Sequence, residues 1–265
     1  MNFSSCSNGL RTMLVIFSLC AGLPFAHPSA ARTLAEVKAL STISMCANPD
    51  ALPFASDRAD APGFQIELGR EIAKALGVSL TTEWILPRRR AGIVNCDMLF
   101  DSVNDPKVYE DPLLLSRPYH KSSIALGLSP GANPVRDYRE IEPGRKVGVL
   151  INSLASVVLG KRGVSTSPYV FEADLVADLV KGDLYGGALS SNTISYYIFR
   201  HPDSGLRLVY AFESEPELTW EVSVGLRHSD AALLDAVNMS LSTLLADGTI
   251  TRIYARYGIE IRPPE

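Results

Sequence analysis

The chain has 265 residues, of which 46% are hydrophobic and 20% charged, and its formal net charge is −4. A chain of this length and composition forms one large or two smaller hydrophobic cores, and not three. The net negative charge and the lack of a basic stripe interspersed with aromatic residues argue against nucleic-acid binding. We therefore expect a globular protein that binds neither DNA nor RNA.

The N-terminal segment has the features of a secretory signal. Arg11 is the only charged residue before Arg32, and the apolar stretch TMLVIFSLCAGLPFA between them is shorter than a membrane span. Small residues then follow, which suit cleavage after Ala31. We predict a signal peptide over residues 1–31, a periplasmic or secreted mature chain, and no membrane span after cleavage. A membrane anchor or a buried helix is the alternative.

The cysteine count bears on metal and redox chemistry. Without the signal segment, Cys46 and Cys96 are the two remaining cysteines. In an oxidising compartment, two cysteines form a disulfide more often than a metal site. Zinc needs about four ligands, and the four histidines are scattered along the chain. We expect no metal ion and no cofactor.

The first half of the mature chain alternates between strand and helix patterns. The amphipathic segment GFQIELGREIAKALGV ends near Gly77, as helices commonly end at glycine. The run CDMLFDSV is mostly apolar, which predicts a strand buried on both faces. The predicted strands are 42–47, 79–85, 96–103 and 122–129, and the predicted helix is 63–77. This alternation is typical of a parallel α/β unit.

The pattern restarts after residues 130–144, a stretch rich in Pro, Gly and charge that is the best linker candidate. The C-terminal region then predicts a long helix with Ser229 as its N-cap and a short helix that ends at Gly258. The predicted strands are 145–151, 167–172, 184–190 and 221–227, and the helices are 153–163 and 173–183. Two α/β units joined by a linker predict a cleft, with ligands outside the carboxyl ends of the strands.

Motifs spread over nearly the whole mature chain carry a family resemblance. In order they are NPDALPF, GFQIELGREIAKALGV, NCDMLFDSV, LSRPYHKSS, GRKVGVLINSLAS, VKGDL and VSVGLRHSDAALLDAVNMSLSTLLADGTITRIYARYG. Together they resemble the extracellular solute-binding proteins of family 3, the periplasmic receptors of amino-acid ABC importers.

The resemblance implies an α/β fold of two lobes, the type II periplasmic binding protein fold. Lobe 1 would comprise residues 32–126 and 227–265 and lobe 2 residues 127–226, with hinge strands at about 124–128 and 222–227. It also implies a binding protein rather than an enzyme. Such a protein closes on a small-molecule ligand and delivers it to an ABC permease.

Two motifs are most similar to one branch of the family. CANPDALPF and WILPRRR resemble accessory proteins encoded with PQQ-dependent alcohol (methanol-type) dehydrogenases. This branch implies an alternative, in which the partner is a quinoprotein dehydrogenase. A third hypothesis is a dehydratase on the same fold, although the chain contains no G-x-S-x-G or H-E-x-x-H motif.

The chain departs from the family pattern where a free amino acid would be held. The arginine usual after the third strand is replaced by SVNDPKVYEDP, in which Lys107 is the nearest basic residue. The stretch GGALSSNTISYY has no carboxylate for the α-ammonium group, and ILPRRRAGIVN shortens the helix that usually precedes CD. We therefore expect a small polar or acidic ligand other than a standard amino acid.

The candidate ligand-binding residues lie mostly in loops that follow predicted strands. Asn48 and Phe54 would supply a hydrogen-bonding group and an apolar wall, with a packed turn as the alternative. Arg88 is the arginine of the RRR run chosen to reach the cleft and pair with an acidic ligand, a solvated surface being the alternative. The remaining candidates are Ser102, Asn104, Tyr119, Asn152, Ser153, Ser191 and Asn192.

Several of these candidates also have ordinary structural interpretations. Asn152 and Ser153 open a predicted helix whose backbone N–H groups favour an anion, but capping alone would also explain them. Tyr119 either stacks on a ligand or packs in the core. Ser191 and Asn192 stand where the family carries an acid, so the resemblance implies neutral polar contacts there.

The pairing of Cys46 with Cys96 stays open. The resemblance places Cys46 near the end of one strand and Cys96 at the start of its parallel neighbour. A slip of about four residues would separate them by ~13 Å, beyond the limit of about 7 Å between Cα atoms. The compartment favours the disulfide and this geometry disfavours it.

Overall fold

The structure is a computed structural model that describes residues 32–85, 96–109, 113–227 and 229–265. The predicted signal peptide and Arg88 lie outside the described residues. The helices in these ranges are α1 (Leu34–Leu40), α2 (Phe64–Ala75), α3 (Leu154–Lys161), α4 (Glu172–Lys181), α5 (Ser191–Arg200), α6 (Ala231–Ala246) and α7 (Thr249–Ala255). The strands are β1 (Thr42–Ala47), β2 (Asp50–Ala51), β3 (Ala55–Ser56), β4 (Ser79–Trp84), β5 (Met98–Val103), β6 (Leu113–Leu115), β7 (His120–Leu128), β8 (Val147–Leu150), β9 (Thr166–Tyr169), β10 (Gly186–Ser190), β11 (Arg207–Val209) and β12 (Thr219–Arg227).

Two parallel units share one sheet of order β4-β1-β5-β12-β7-β10-β8-β9, with β6 paired to β12 and β11 to β7. Strands β4, β1 and β5 are parallel to one another, as are β10, β8 and β9. The long strands β12 and β7 between them run antiparallel to their neighbours. The α/β class and its two repeated units therefore agree with the sequence prediction.

The two long strands pair with each other over a short stretch, which we call the crossing segment: residues His120–Ser123 of β7 and Thr219–Val222 of β12. The last residue of β5 pairs with Val222, and the last residue of β10 pairs with Ile124. The carboxyl ends of the parallel strands in both units therefore point toward the crossing segment. The predicted hinge at 124–128 and 222–227 adjoins this segment and stays a prediction.

Each unit has its own hydrophobic core. In α2, Phe64, Leu68 and Ile72 recur every four residues, so they share one face and are fully buried against the first unit. Helices α6 and α7 contribute to the same core, so the C-terminal chain returns to the first unit. In the second unit, Leu175 and Leu179 of α4 are likewise buried in the hydrophobic core of that unit.

Three local predictions were wrong or incomplete. Helix α5 was missed, because its sequence SNTISYYIFR is rich in β-branched and aromatic residues. The cap of α6 is Asp230, whose carboxylate accepts a hydrogen bond from the Leu233 N–H at 2.9 Å, and not Ser229. Strand β5 is buried on alternate residues rather than on both faces.

Cys46 and Cys96 form a disulfide, with their Cα atoms 5.6 Å apart. The expected separation of ~13 Å was wrong because it extended the strand back to Cys96 as an ideal strand. Strand β5 begins at Met98, and the chain bends at Asp97. Cys46 is paired with Leu99, three residues beyond Cys96. The offset is therefore real, and it is the bend before β5 that brings Cys96 back to Cys46.

Asp97 holds this bend. Its buried carboxylate accepts hydrogen bonds from the Ser44 N–H at 2.7 Å, the Ser44 hydroxyl at 2.8 Å and Arg32 Nε at 2.9 Å. Arg32 also forms an ion pair with it through its terminal nitrogen. Just before β5, the Asp97 carboxylate thus has an arginine that balances its charge and donors that satisfy its oxygens.

Candidate functional site

The carboxyl end of β5 contains a β-bulge at Asp101. β12 advances two residues from Ser223 to Gly225, while β5 uses three, from Ser102 back to Leu99. Asp101 has φ +57°, a conformation that Asp tolerates better than most residues. A Cβ on Gly225 would lie 2.7 Å from Ser102 Oγ, so glycine permits the close approach. Because a bulge redirects a side chain, Asp101 leaves the regular alternation of the strand.

Asp101 lies beside two buried tyrosines. Tyr119 precedes β7 and Tyr254 lies in α7, and both rings are buried in the core of the first unit. The two hydroxyl groups interact with each other and that of Tyr119 with the Asp101 backbone, but neither makes a hydrogen bond of normal geometry to a described residue. Burial raises the pKa of both tyrosines, and the nearby Asp101 carboxylate adds to the shift.

The Asp101 carboxyl group is half-buried, and burial raises its pKa to about 6. Within the described ranges no lysine or arginine forms an ion pair with it. A carboxylate in a low-dielectric site without a cation is unfavourable, and such groups concentrate at functional sites.

His120 connects this corner to the second unit. Its ring is 5.2 Å from the Tyr254 ring, and its Nδ1 accepts a hydrogen bond from the Arg262 N–H at 3.2 Å. Burial lowers the pKa of His120 to about 4, so the ring is neutral at pH 7, and the Asn192 side chain opposes that shift from the start of α5. The crossing segment therefore carries contacts between polar side chains of both units.

Further buried polar atoms at the crossing segment have no hydrogen-bond partner among the described residues. They are His120 Nε2, Ser123 Oγ, Asn192 Nδ2, Thr219 Oγ1 and Ser223 Oγ. Buried polar groups in proteins are nearly always hydrogen-bonded. A concentration of such atoms where the strand ends of both units meet indicates groups available to a bound molecule.

Asn48 and Phe54 lie in the loop after β1. The Asn48 side-chain oxygen accepts a hydrogen bond from the Asp50 N–H at 3.0 Å, which stabilises the turn. Phe54 is half-buried, and its ring is 5.2 Å from that of Phe64 in α2. Both residues have structural roles here, and their contact with a ligand stays a prediction.

Ser102 makes a hydrogen bond within β5, and Asn104 attaches the end of β5 to β12. The buried Ser102 hydroxyl donates to the Leu99 carbonyl at 2.9 Å, and Asn104 Nδ2 donates to Glu221 Oε2 at 3.2 Å. These bonds hold the bulge that carries Asp101. Ser102 and Asn104 lie at the end of β5 beside Asp101, and Tyr119 interacts with the Asp101 backbone. Their contact with a ligand stays a prediction.

The four predicted residues of the second unit lie at the carboxyl ends of its strands. Ser153 caps α3 by accepting a hydrogen bond from the Ser156 N–H at 3.1 Å, and the exposed Asn152 precedes it with φ +58°. Ser191 and Asn192 open α5 directly after β10 and are buried. Of these four residues, Asn192 lies close enough to His120 to oppose the lowering of the pKa of its ring.

Two cavities of about 770 and 790 Å³ lie away from this corner. The first is lined mainly by the predicted linker and the turn around Asp183, and the second by α5, β11 and the C-terminal chain. We place the candidate site at the crossing segment because unpaired polar groups, and not concave volume alone, determine selective binding.

Sequence reasoning did not single out Asp101, His120 or Tyr254, which the structure brings together at this corner. Asp101 stands inside a run that reads as a buried strand, CDMLFDSV. A carboxylate in such a run, just before the strand end, is the signal that could have identified it. The positions of His120 and Tyr254 depend on the packing of α7 against β7, for which a single sequence carries no local pattern.

Comparison with known proteins finds a family model and a characterised relative that agree with each other. The family model for bacterial extracellular solute-binding proteins, family 3, matches residues 43–260. The lysine/arginine/ornithine-binding periplasmic protein of Escherichia coli (strain K12) is 26% identical over 264 residues, covering 94% of this chain and 97% of that protein.

Solved structures show the same fold. An ancestral cationic amino acid solute-binding protein superposes with a TM-score of 0.71 at 20% identity, covering 85% of this chain and 99% of that one. The L-cystine solute receptor of Neisseria gonorrhoeae, in its unliganded open conformation, also gives 0.71, at 16% identity and with 88% and 99% covered. Both support the type II periplasmic binding protein fold.

Within the described part of the chain, each helix is too short or too polar to cross a membrane. The family match extends over both units and includes the crossing segment and its polar corner. The chain therefore belongs to the bacterial extracellular solute-binding proteins of family 3.

Proposed function

We propose that this protein is a periplasmic receptor that closes on a small polar molecule, other than a standard free amino acid, and delivers it to an ABC-type permease. The observation that carries the proposal is the convergence of the strand ends of both units on the crossing segment. Polar groups from both units meet there, namely Asp101 and His120 from the first and Asn192 from the second.

The surfaces on either side of the crossing segment support closure. At the strand ends of the second unit, Ile151, Leu154, Val170 and Phe171 are 45%, 54%, 65% and 65% exposed. On the first unit, Trp84 at the end of β4 is 42% exposed. Apolar side chains concentrated on facing strand ends become buried when two lobes close on a ligand, which favours the closed state.

The residues at the crossing segment bear on whether the ligand is an anion. The acidic alternative depended on Arg88, which lies outside the described residues, and on Asn152 and Ser153 at the start of α3, where Ser153 caps the helix. At the crossing segment the cation Lys121 is already paired with Glu265, whereas Asp101 has no cationic partner among the described residues. The local chemistry therefore favours a polar ligand that is not an anion.

A thermal-shift screen tests the proposal. Amino acids, carboxylates, amines and alcohols are added to the purified mature chain, and a true ligand at 100 times its Kd should stabilise the fold by about 2.7 kcal/mol. An Asn192→Ala variant should lose most of that shift. The control Asn133→Ala changes an exposed asparagine of the linker and should keep it. If no compound raises the Tm of the protein, the receptor proposal fails.

Gene neighbourhood tests the partner. Genes for a permease and an ATPase beside this one would favour the transporter. A quinoprotein dehydrogenase and a cytochrome c gene would favour the accessory-protein alternative, which stays a prediction. One structural relative is described as a precursor of cyclohexadienyl dehydratase, and the dehydratase hypothesis for this chain also stays a prediction.

A further inference from the structure

The strand-end corner of the first unit presents a carboxylate that the fold does not need. Asp101 stands in the bulge with φ +57°, whereas glycine or asparagine would fit this conformation without placing a charge there. The hydroxyl groups of Tyr119 and Tyr254 lie within electrostatic range of the Asp101 carboxylate and are neutral at physiological pH. The structure therefore keeps an acceptor group and a negative charge beside the crossing segment.

A second carboxylate lies just beyond the carboxyl end of β9 in the second unit. Glu172 begins α4 three residues after the last residue of β9, and it is half-buried. Thr193, in the first turn of α5, donates a hydrogen bond to it, and no ion pair to it is formed within the described ranges. α5 begins beside Asn192, which interacts with His120. The first turn of α5 therefore contacts Glu172 through Thr193 and His120 through Asn192.

Other buried carboxylates of this protein show the ordinary arrangement. Asp97 is paired with Arg32, and Glu215 is paired with Arg162 and accepts a hydrogen bond from the Tyr138 hydroxyl at 2.5 Å. Asp101 and Glu172 differ from both in that their charge is matched by no described side chain. They also differ in place, because Asp101 lies near the carboxyl end of β5 and Glu172 lies just beyond the carboxyl end of β9.

We propose that the ligand is an organic cation, an amine or guanidinium compound, whose positive group is bound by Asp101 with the hydroxyl groups of Tyr119 and Tyr254 beside it. Glu172 adds a second negative charge from the second unit. The proposal rests on the receptor function proposed above, since it names the ligand class of that same site. A cation supplies the positive charge that no described side chain offers to Asp101, and it supplies donors for the carboxylate oxygens.

The experiment uses probes that differ in charge but little in size. Cadaverine, agmatine and choline are the cations, glutarate is the anion, and 1,5-pentanediol is the neutral five-carbon compound. Binding is measured by calorimetry and by thermal shift on the wild type, on Asp101→Asn and on Asp203→Asn. Asparagine tolerates the backbone conformation of Asp101, and Asp203 is an exposed carboxylate in a turn of the second unit, so it serves as the matched charge control.

We expect at least one cation to bind, glutarate and pentanediol not to bind, and Asp101→Asn to weaken cation binding at least tenfold while Asp203→Asn changes it less than twofold. Binding of glutarate or pentanediol without any cation would overturn the cation proposal and leave the receptor function standing. Cation binding that Asp101→Asn leaves intact would overturn the assignment to Asp101. If no probe and no compound of the wider screen binds, both proposals fail.

A stability measurement without ligand tests whether a side chain of the protein itself already pairs with the Asp101 carboxylate. If the Asp101 charge is uncompensated, Asp101→Asn should melt at the same or a higher temperature than the wild type at pH 7.5. A Tm several degrees lower, with a normal circular dichroism spectrum at low temperature, would mean that the chain itself already pairs this carboxylate. That result would overturn the proposal.

Discussion

The two ends of β5 carry carboxylates in opposite situations. At the amino end, Asp97 is buried with three hydrogen-bond donors within 3 Å and an arginine beside it. At the carboxyl end, Asp101 stands in a bulge between tyrosines, with no cation among the described residues. Three residues thus separate a carboxylate that stabilises the fold from one that does not.

This difference indicates that Asp97 is needed for folding, whereas Asp101 has a role other than folding. Removing a partner from a matched buried charge costs several kcal/mol, whereas removing an unmatched charge relieves an unfavourable burial. Variants at the two ends should therefore shift stability in opposite directions. The following experiments test that contrast.

The largest effect is expected at the disulfide beside Asp97. Cys46 and Cys96 are 50 residues apart in sequence, and closing a loop of that length restricts the unfolded chain by about 4 kcal/mol. The double variant Cys46→Ser/Cys96→Ser should lose about that much free energy of unfolding in urea denaturation. Adding dithiothreitol to the wild type should lower its stability by a similar amount and should leave the double variant unchanged.

Asp97→Asn should cost about 3 kcal/mol, because it leaves the Arg32 charge without its partner and the Ser44 donors with a weaker acceptor. Urea denaturation measures the loss. Asp137→Asn is a suitable control, since that carboxylate also pairs with an arginine, Arg139, but at an exposed site of the second unit. A loss at Asp97 no larger than at Asp137 would contradict the structural role given to Asp97.

Asp101→Asn should change the pH dependence of stability. The folded-state pKa of about 6 lies above the ordinary value of 3.8, so the folded state holds this proton more tightly than the unfolded state. The stability that depends on the protonated carboxyl is complete below about pH 4 and is lost as the pH rises to about 6, by at most ~3 kcal/mol. At pH 7.5 the variant should therefore be the more stable protein.

The measurement is the Tm of wild type and variant between pH 4 and pH 8. The pKa of His120 is lowered to about 4 by burial, so its contribution has the opposite sign and stability falls as the pH drops below about 6.5. Both proteins keep His120, and the difference between the two curves isolates Asp101. A difference that is flat between pH 4 and pH 7 would contradict the shifted carboxyl.

The smallest effect is expected at Asn48. Its side chain makes one hydrogen bond in a partly exposed turn, so Asn48→Ala should cost about 0.5–1 kcal/mol of unfolding free energy. If Asn48 also contacts the ligand, the same variant should weaken binding in calorimetry by more than its stability changes. Equal affinity for wild type and variant would restrict Asn48 to the turn.

The contrast also separates what a sequence reveals from what it does not. The strand and helix alternation was predictable, because α2, α4 and α6 show strong helical periodicity and the predicted strands are apolar runs bounded by turns. Helix α5 was not, because the burial of Ile194 against β7, and not local propensity, decides its conformation.

By itself the sequence determined the α/β class, the two units and the family, since these follow from periodic patterns and motif order over the whole chain. It also placed candidate residues at strand ends. Only the tertiary structure decided that Cys96 bends back to Cys46, that Asp101 leaves the strand alternation, and that His120 meets Asn192. The physical reason is that a bend, a bulge and a contact between lobes depend on which strands become neighbours, and residues far apart in the chain set that pairing.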